Sequence, residues 1–167
     1  VDICEISSDK LMDMVSFVFQ DIYLFRQSIA DNIRMGRKEA VSDEIIRAAK
    51  AACCHDFITN LPAGYDTVIG RDGIQLSGGE RQRIAIARAI VRNTPIVVLD
   101  EATAFSDTEN EYLIQQAISE LVKGKTVIVI AHRLSTVKNA DKIVVLDSGI
   151  KVEEGTHDIC LLYTSDA

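Results

Sequence analysis

The apolar run 96–99, followed directly by two adjacent acids, constrains the fold of this chain most strongly. An uninterrupted apolar run of this length is expected of a strand that is buried on both faces, as in a parallel sheet. Further buried strands are predicted at 126–130 and 142–146, a helix at 108–121, and a last strand at 150–153 after a turn. Because strand, helix and strand follow one another, right-handed parallel crossovers are expected, and the fold class is therefore α/β.

The part of the chain before this run is predicted to be mainly helical, apart from one apolar strand at 15–19. Helices are predicted at 29–35, 42–52 and 55–61, each bounded by capping or breaking residues. We expect this helical region to extend from about residue 21 to 94, as an insert in the sheet domain.

Composition excludes several classes of protein. A chain of 167 residues that is 47% hydrophobic can bury one core, so a single globular domain is expected. The formal net charge of −7 argues against a general attraction to nucleic acid, and we expect no nucleic-acid partner. The longest apolar run, 127–131, is too short to cross a bilayer, and no secretory signal pattern occurs.

The four cysteines form no Cys-x-x-Cys pair. Neighbouring Cys53 and Cys54 lie beside His55, which leaves a metal site as an alternative, but a second pair of ligands is missing. Reduced thiols, as in the cytosol, are the favoured interpretation.

The sequence Ser77-Gly78-Gly79 opens a predicted helix that extends through Arg92. Its glycines lack Cβ atoms and let a phosphate approach the backbone amides at the helix start, where the Ser77 hydroxyl adds one donor. Glu80 in the first turn suits the helix dipole, so a structural role is the favoured interpretation for that residue. The arginines at 81, 83 and 88 are interpreted as a solvated face without a catalytic role.

Polar residues follow three of the predicted strands at their carboxyl ends, where ligands bind in open parallel sheets. Gln20 follows the first strand, Asp100 and Glu101 follow 96–99, and His132 follows 126–130 with one residue between. We therefore expect an amide, two acids and an imidazole to converge on one crevice. The alternative is that they are unrelated polar residues of loops.

Phosphoryl transfer depends mostly on positioning and charge neutralisation, and these residue types suit it. Asp100 is placed to hold a magnesium ion, directly or through water, and Glu101 to orient or deprotonate the attacking water. His132 is a candidate donor to the terminal phosphate. However, no G-x-x-x-x-G-K-[ST] phosphate loop occurs anywhere in the sequence.

These motifs resemble those of the nucleotide-binding domain of ATP-binding cassette (ABC) transporters. The run 76–80 matches that family's signature motif, 96–101 its Walker B motif with the catalytic glutamate, and 19–21 its Q-loop. The run 131–133 resembles its switch-histidine loop, and Asp107 lies where the D-loop aspartate belongs. The segment 67–73 is similar to the T-x-x-G-x-x-G segment of exporter-type members. Several ordered motifs over residues 1–158 make the resemblance specific.

The resemblance implies a P-loop NTPase-like parallel sheet that lacks its first strands, with a mainly helical signature subdomain. It implies a core strand and Q-loop at 1–20, the helical subdomain at 21–95, and the Walker B, D-loop and switch-histidine part at 96–158. Residues 159–167 are expected to be an artefactual tail, because the run from Cys160 resembles a translated sequencing adapter.

The resemblance also implies roles for individual residues. Gln20 would contact magnesium and the lytic water, His132 would steady the transition state, and Glu101 would act on the water. Ser77, Gly78 and Gly79 would hold the ATP that is bound to an opposing domain, with Asp107 at the same dimer interface. The resemblance therefore implies ATP and Mg²⁺ as cofactors. It implies a second nucleotide-binding domain and a transmembrane domain as partners.

Three features depart from the family pattern. The Walker A loop and the adenine-stacking aromatic are expected upstream of Val1, so the fragment alone is expected to be inactive. Arg71 stands where exporters usually have glutamate, and the D-loop is Ala104-Phe105-Ser106-Asp107 instead of the commoner Ser-Ala-Leu-Asp.

We therefore predict the ATPase motor domain of an exporter-type ABC transporter at the cytoplasmic face of a membrane. One alternative is a soluble ABC-type ATPase of DNA repair or translation. A second is a non-hydrolysing interaction module that donates only the signature motif to a partner's site.

Overall fold

The computed structural model describes residues 2–70, 73–100, 108–131 and 137–160, without the side chains of residues 108 and 109. The chain divides into two compact units, Val1–Ile128 and Val129–Ala167. In chain order the elements are α1 (Ser8–Met14), β1 (Val15–Val18), α2 (Ile29–Arg34), α3 (Ser42–Ala51), α4 (His55–Thr59), α5 (Gly78–Arg92), β2 (Ile96–Asp100), α6 (Thr108–Val122), β3 (Thr126–Ile130), β4 (Ile143–Asp147) and β5 (Ile150–Gly155).

A three-stranded sheet has the strand order β1-β2-β3. Strands β1 and β2 are parallel, in a register that runs from Val15 opposite Ile96 to Val18 opposite Leu99. This confirms the predicted α/β class with a parallel sheet. A hydrogen bond of 2.7 Å between the buried hydroxyls of Ser16 and Thr94 links the amino-terminal end of β1 to the residues just before β2.

One face of this sheet carries the core. Val18, Val97 and Leu99 are buried in a cluster that also contains apolar residues of α5 and α6. The other face is less covered, since Phe17 is 40% exposed and stacks on Phe19 with 5.5 Å between the ring centroids. The bounds predicted for the strand at 126–130 are confirmed, but its burial on both faces is wrong, because Ile128 is 51% exposed.

Helix α5 is the central helix of the first unit and packs against α2, α3, α6 and β1. Its apolar positions recur at helical spacing, and Ile84, Ile86 and Ala87 are fully buried. The predicted solvated arginine face is wrong in part, because Arg83 is buried and Arg88 is half-buried. Both side chains have polar or aromatic partners inside the domain, which offset the cost of burying a charge.

The second unit contains an antiparallel hairpin of β4 and β5. Ser148 and Gly149 both have positive φ, the backbone that two-residue hairpin turns require. The expectation that 142–146 is another buried strand is therefore wrong. The observed strand starts at Ile143, one residue later than predicted, and pairs with β5. Most of its residues are exposed. Glu154 on β5 forms ion pairs with Lys142 and Lys151.

Within the described parts of the chain, no helix combines the length and the apolar character that a membrane span requires.

Candidate functional site

The carboxyl edge of the β1–β2 pair brings together two of the predicted site residues. Val18 pairs with Leu99 in parallel register, so Asp100 leaves the sheet at the same edge as the segment that carries Gln20. Gln20 is exposed and Asp100 is half-buried. The edge therefore carries a carboxylate at the end of β2 and an amide two residues after β1.

Three other predicted site residues, Glu101, Asp107 and His132, lie outside the described residues. The elements next to them are described. Glu101 follows β2 directly, Asp107 precedes α6, and His132 comes two residues after the end of β3.

The start of α5 has the geometry of a reciprocal cap. The Ser77 Oγ accepts a hydrogen bond from the Glu80 amide at 3.3 Å, and the Glu80 Oε2 accepts one from the Ser77 amide at 2.8 Å. The Glu80 carboxylate thus stabilises the helix start, and the exposed Ser77 keeps its hydroxyl proton for another acceptor.

The two glycines after Ser77 differ in their surroundings, since Gly79 is buried and Gly78 is only half-buried. A Cβ at Gly79 would lie 2.6 Å from the Oδ1 of Asn110 and 2.8 Å from its Cγ. The sequence interpretation, that both glycines admit a phosphate, missed this contact. At Gly79 the absence of a side chain makes room for the Asn110 side chain of α6.

Arg83 lies four residues after Gly79, on the same side of the helix. Its side chain is 4% exposed, and its Nη1 donates a hydrogen bond of 2.8 Å to the Oδ1 of Asn110. The guanidinium also lies over the ring of Phe57, 5.5 Å from the centroid. Sequence reasoning missed this residue, although its i, i+4 spacing from a glycine of the motif was a usable signal.

A second polar contact joins α5 to the loop that follows Gln20. Arg88 donates from Nε to the carbonyl of Asn32 at 2.9 Å and from Nη1 to the carbonyl of Tyr23 at 3.3 Å. Burial lowers the pKa of Arg88 below its ordinary value. The buried Asn32 in turn bonds both the amide and the carbonyl of Phe25, so this loop is tied to α5 through two side chains.

The cysteines near α4 have no ligand-like arrangement. Cys54 is fully buried, which raises the pKa of its thiol to about 12, and His55 shares a 2.9 Å hydrogen bond with the Tyr65 hydroxyl. Among the described residues, no group of three or more His, Cys, Asp or Glu side chains is arranged to hold a metal ion.

The sequence profile of one protein family, described as "ABC transporter", matches residues 2–104, which is more than half of the chain. The chain belongs to the ABC transporter family. The match includes Gln20, the Ser77-Gly78-Gly79 turn and Asp100, so both groups of candidate site residues lie inside the family's region.

Individual ABC transporter relatives are similar over nearly the whole chain. The ATP-dependent lipid A-core flippase of Acinetobacter baylyi is 52% identical over 97% of this chain and 28% of its own length. The putative multidrug export ATP-binding/permease protein YgaD of Bacillus subtilis is 48% identical over 98% of this chain and 28% of its own. The mycobactin import ATP-binding/permease protein IrtA of Mycolicibacterium thermoresistibile is 55% identical over 94% of this chain and 17% of its own.

The fold of this chain agrees with that of a solved structure. The chain superimposes on a bacterial Atm1-family ABC exporter with ATP bound at a TM-score of 0.82 and 46% identity, over 93% of this chain and 27% of that one. The chain thus spans between 17% and 28% of the length of these ABC transporter relatives.

Proposed function

We propose that this chain is part of the ATP-hydrolysing motor domain of an exporter-type ABC transporter. The observation that carries the proposal is the shared edge of β1 and β2, where Gln20 and Asp100 follow strands in parallel register. Ligands of open parallel sheets bind at this edge, and the family's nucleotide chemistry needs a carboxylate there.

At this edge the chain's own residues would bind a metal–nucleotide complex. Carboxylate and amide oxygens are ligands that Mg²⁺ accepts, so the donor set of Asp100 and Gln20 fits a magnesium ion. When bound, the ion would neutralise charge on the phosphates. Glu101, one residue after Asp100, would orient or deprotonate the attacking water, and His132 would donate to the terminal phosphate.

The start of α5 would serve a different nucleotide, bound to an opposing domain. The first intrahelical bond, from the Arg81 amide to the Ser77 carbonyl at 3.1 Å, leaves the earlier amides of Gly78 and Gly79 outside the helical ladder. Such amides, together with the helix dipole, favour a phosphate. Asp107 would lie at the same interface between the two domains.

The proposed organisation follows the family. Residues 1–20 and 96–158 would form the sheet domain, and 21–95 the helical subdomain that carries the signature turn. The partners would be a second nucleotide-binding domain and a transmembrane domain, at the cytoplasmic face of a membrane. The relatives are named as a lipid A-core flippase, a multidrug exporter and a mycobactin importer, so the proposal names neither a substrate nor a direction.

Because the sequence contains no phosphate loop, the 167-residue chain is not expected to hydrolyse ATP alone. The test is a chimera in which this chain's residues replace the aligned segment of the Atm1-family exporter, which keeps its own phosphate loop. We expect ATP turnover by the chimera, at a rate well above that of the 167-residue chain.

In the chimera, Glu101→Gln should abolish turnover, because water activation is worth several powers of ten in rate. Glu111→Gln is the matched control, since Glu111 is exposed on α6 and its substitution should leave turnover unchanged. A chimera that folds and binds ATP but does not hydrolyse it would refute the proposal. So would turnover that survives Glu101→Gln.

A further inference from the structure

Asn110, in the first turn of α6, contacts two residues of the first turns of α5. We propose that Asn110 is a positioning residue, which holds the Ser77-Gly78-Gly79 turn in place from the neighbouring helix. This inference rests on the proposed role of that turn in phosphate binding, and neither the sequence motifs nor the family match assigns Asn110 a role. The inference has two independent parts, one of packing and one of hydrogen bonding.

The packing part is the close approach of Asn110 to Gly79. The Cβ position of Gly79 is occupied by Asn110, whose Oδ1, Cγ and Cβ lie 2.6, 2.8 and 3.0 Å away. Real Cβ atoms do not tolerate the two shorter distances, so any side chain at Gly79 would push the Asn110 side chain out of its position or move the two helices apart. The two helices are therefore interlocked at the turn that carries the glycines.

The hydrogen-bonding part is the buried guanidinium of Arg83. Its Nη1 donates to the Oδ1 of Asn110, whereas its Nε is buried and has no hydrogen-bond partner among the residues that the structure describes. A buried cation with an incomplete set of acceptors depends strongly on those it has. The Asn110 side chain thus fills the space beside Gly79 and accepts a hydrogen bond from the side chain four residues later.

The start of α6 is linked to the glycine turn of α5 through Asn110. Helix α6 begins at Thr108, directly after Asp107, and its first turn carries Asn110. Because an α-helix is stiff over two turns, a displacement of the start of α6 would be passed through Asn110 to the glycine turn of α5. The start of α6 and the glycine turn of α5 are therefore coupled inside one chain.

The test measures amide hydrogen exchange in the 167-residue chain, with three variants. Asn110→Leu keeps the size of the side chain but removes the acceptor, Asn110→Asp keeps the acceptor, and Glu111→Ala is an exposed control on the same helix. We expect Asn110→Leu to speed exchange of the Arg81–Arg83 amides by about tenfold while the 87–92 amides stay unchanged. The Asp variant and the control should exchange like the parent chain.

Unchanged exchange in Asn110→Leu would overturn the inference. An equal rise along all of α5 would also overturn it, because a purely structural role lowers stability everywhere. No nucleotide is used, so these results are independent of whether the proposed ATPase function is correct.

A second arm covers the case in which Asn110→Leu fails to fold. Gly79→Ala should lower the midpoint of urea unfolding, and adding Asn110→Ala should recover part of that loss, because it removes the two closest atoms. Simple additivity of the two losses would show that the residues are not interlocked, and would overturn the packing part.

Discussion

The guanidinium of Arg88 donates to the carbonyl of Asn32 at 2.9 Å and to the Oδ1 of the same residue at 3.2 Å, so α5 and α2 share a two-point polar contact. Asn32 has no exposed surface, and its amide group also donates to the carbonyls of Phe25 and Ser28, each at 3.0 Å. One buried side chain therefore satisfies the backbone of the loop that connects the edge at Gln20 to the helical region.

Replacing this side chain is expected to destabilise the chain. Asn32→Ala removes the acceptor of the Phe25 amide and of the Arg88 Nη2 in a buried site, and we expect a loss of about 3 kcal/mol in the free energy of unfolding. Urea unfolding measures it. The matched control is Asn60→Ala, an exposed position, which should change stability by less than about 0.5 kcal/mol. Equal effects of the two substitutions would contradict the account.

The approach of α2 to α5 is tested at Gly36. Its φ is not positive, so alanine suits the backbone, but a Cβ there would overlap the carbonyl of Arg88. We expect Gly36→Ala to destabilise by about 3 kcal/mol through overpacking. Gly124 is the comparison, because a Cβ there meets open space but φ is +66°, and Gly124→Ala should lose only about 1 kcal/mol. A reversed order, measured by thermal unfolding, would mean that the helices are farther apart.

Thiol chemistry distinguishes buried from exposed cysteines. Cys4 is exposed, whereas burial raises the pKa of Cys54 to about 12. The Cys54 thiol therefore stays protonated at pH 8, and the thiolate is the reactive form. Iodoacetamide should therefore label Cys4 and spare Cys54 in the folded chain, with both labelled in urea. Mass spectrometry of the peptides gives the result, and comparable native labelling of the two would be inconsistent with the buried site.

The burial of the Tyr65 hydroxyl is expected to make the folded chain less stable at high pH. Burial raises the pKa of Tyr65 to about 12, above the ordinary value of about 10 in an unfolded chain. Since the folded form holds the Tyr65 proton more tightly, the raised pKa adds to the free energy of unfolding. This contribution is complete below pH 10 and is lost as pH rises toward 12. Unfolding free energies from pH 9 to 12 should thus fall less steeply in Tyr65→Phe than in the parent chain. Identical slopes would show that Tyr65 titrates normally.

Much of the fold could be predicted because its signals are local. The helix Gly78–Arg92 has a capping serine and apolar positions at helical spacing, and the strand at 96–99 has an unbroken apolar run. The turn between Ile143–Asp147 and Ile150–Gly155 agrees with the prediction, but the burial predicted for the first strand is wrong, because an apolar run identifies a strand but not its partner. The helix Ser8–Met14 is short and has no buried residue, so no apolar periodicity marks it in the sequence.

The candidate site was predictable in part for the same reason. Gln20 and Asp100 could be placed at one edge from strand order alone, because parallel strands end on the same side. The contact of Gly79 and Arg83 with Asn110 could not be predicted, since Asn110 is 27 or more residues from both and meets them only in the packed helices.

The central claim is that the sheet edge and the glycine turn of one chain serve two different nucleotides. Among the described residues, no hydrogen bond or ion pair joins Ser77 to Gln20 or Asp100. The most direct test mixes two forms of the chimeric exporter in one dimer, each purified through its own tag. One form carries Glu101→Gln, and the other carries Ser77→Arg.

Each form alone should show no ATP turnover. In the mixed dimer, the intact edge of the second form would face the intact glycine turn of the first, so one complete site is expected and turnover should return. A mixed dimer as inactive as its two parents would contradict the account, because it would mean that both motifs act on the nucleotide of their own chain.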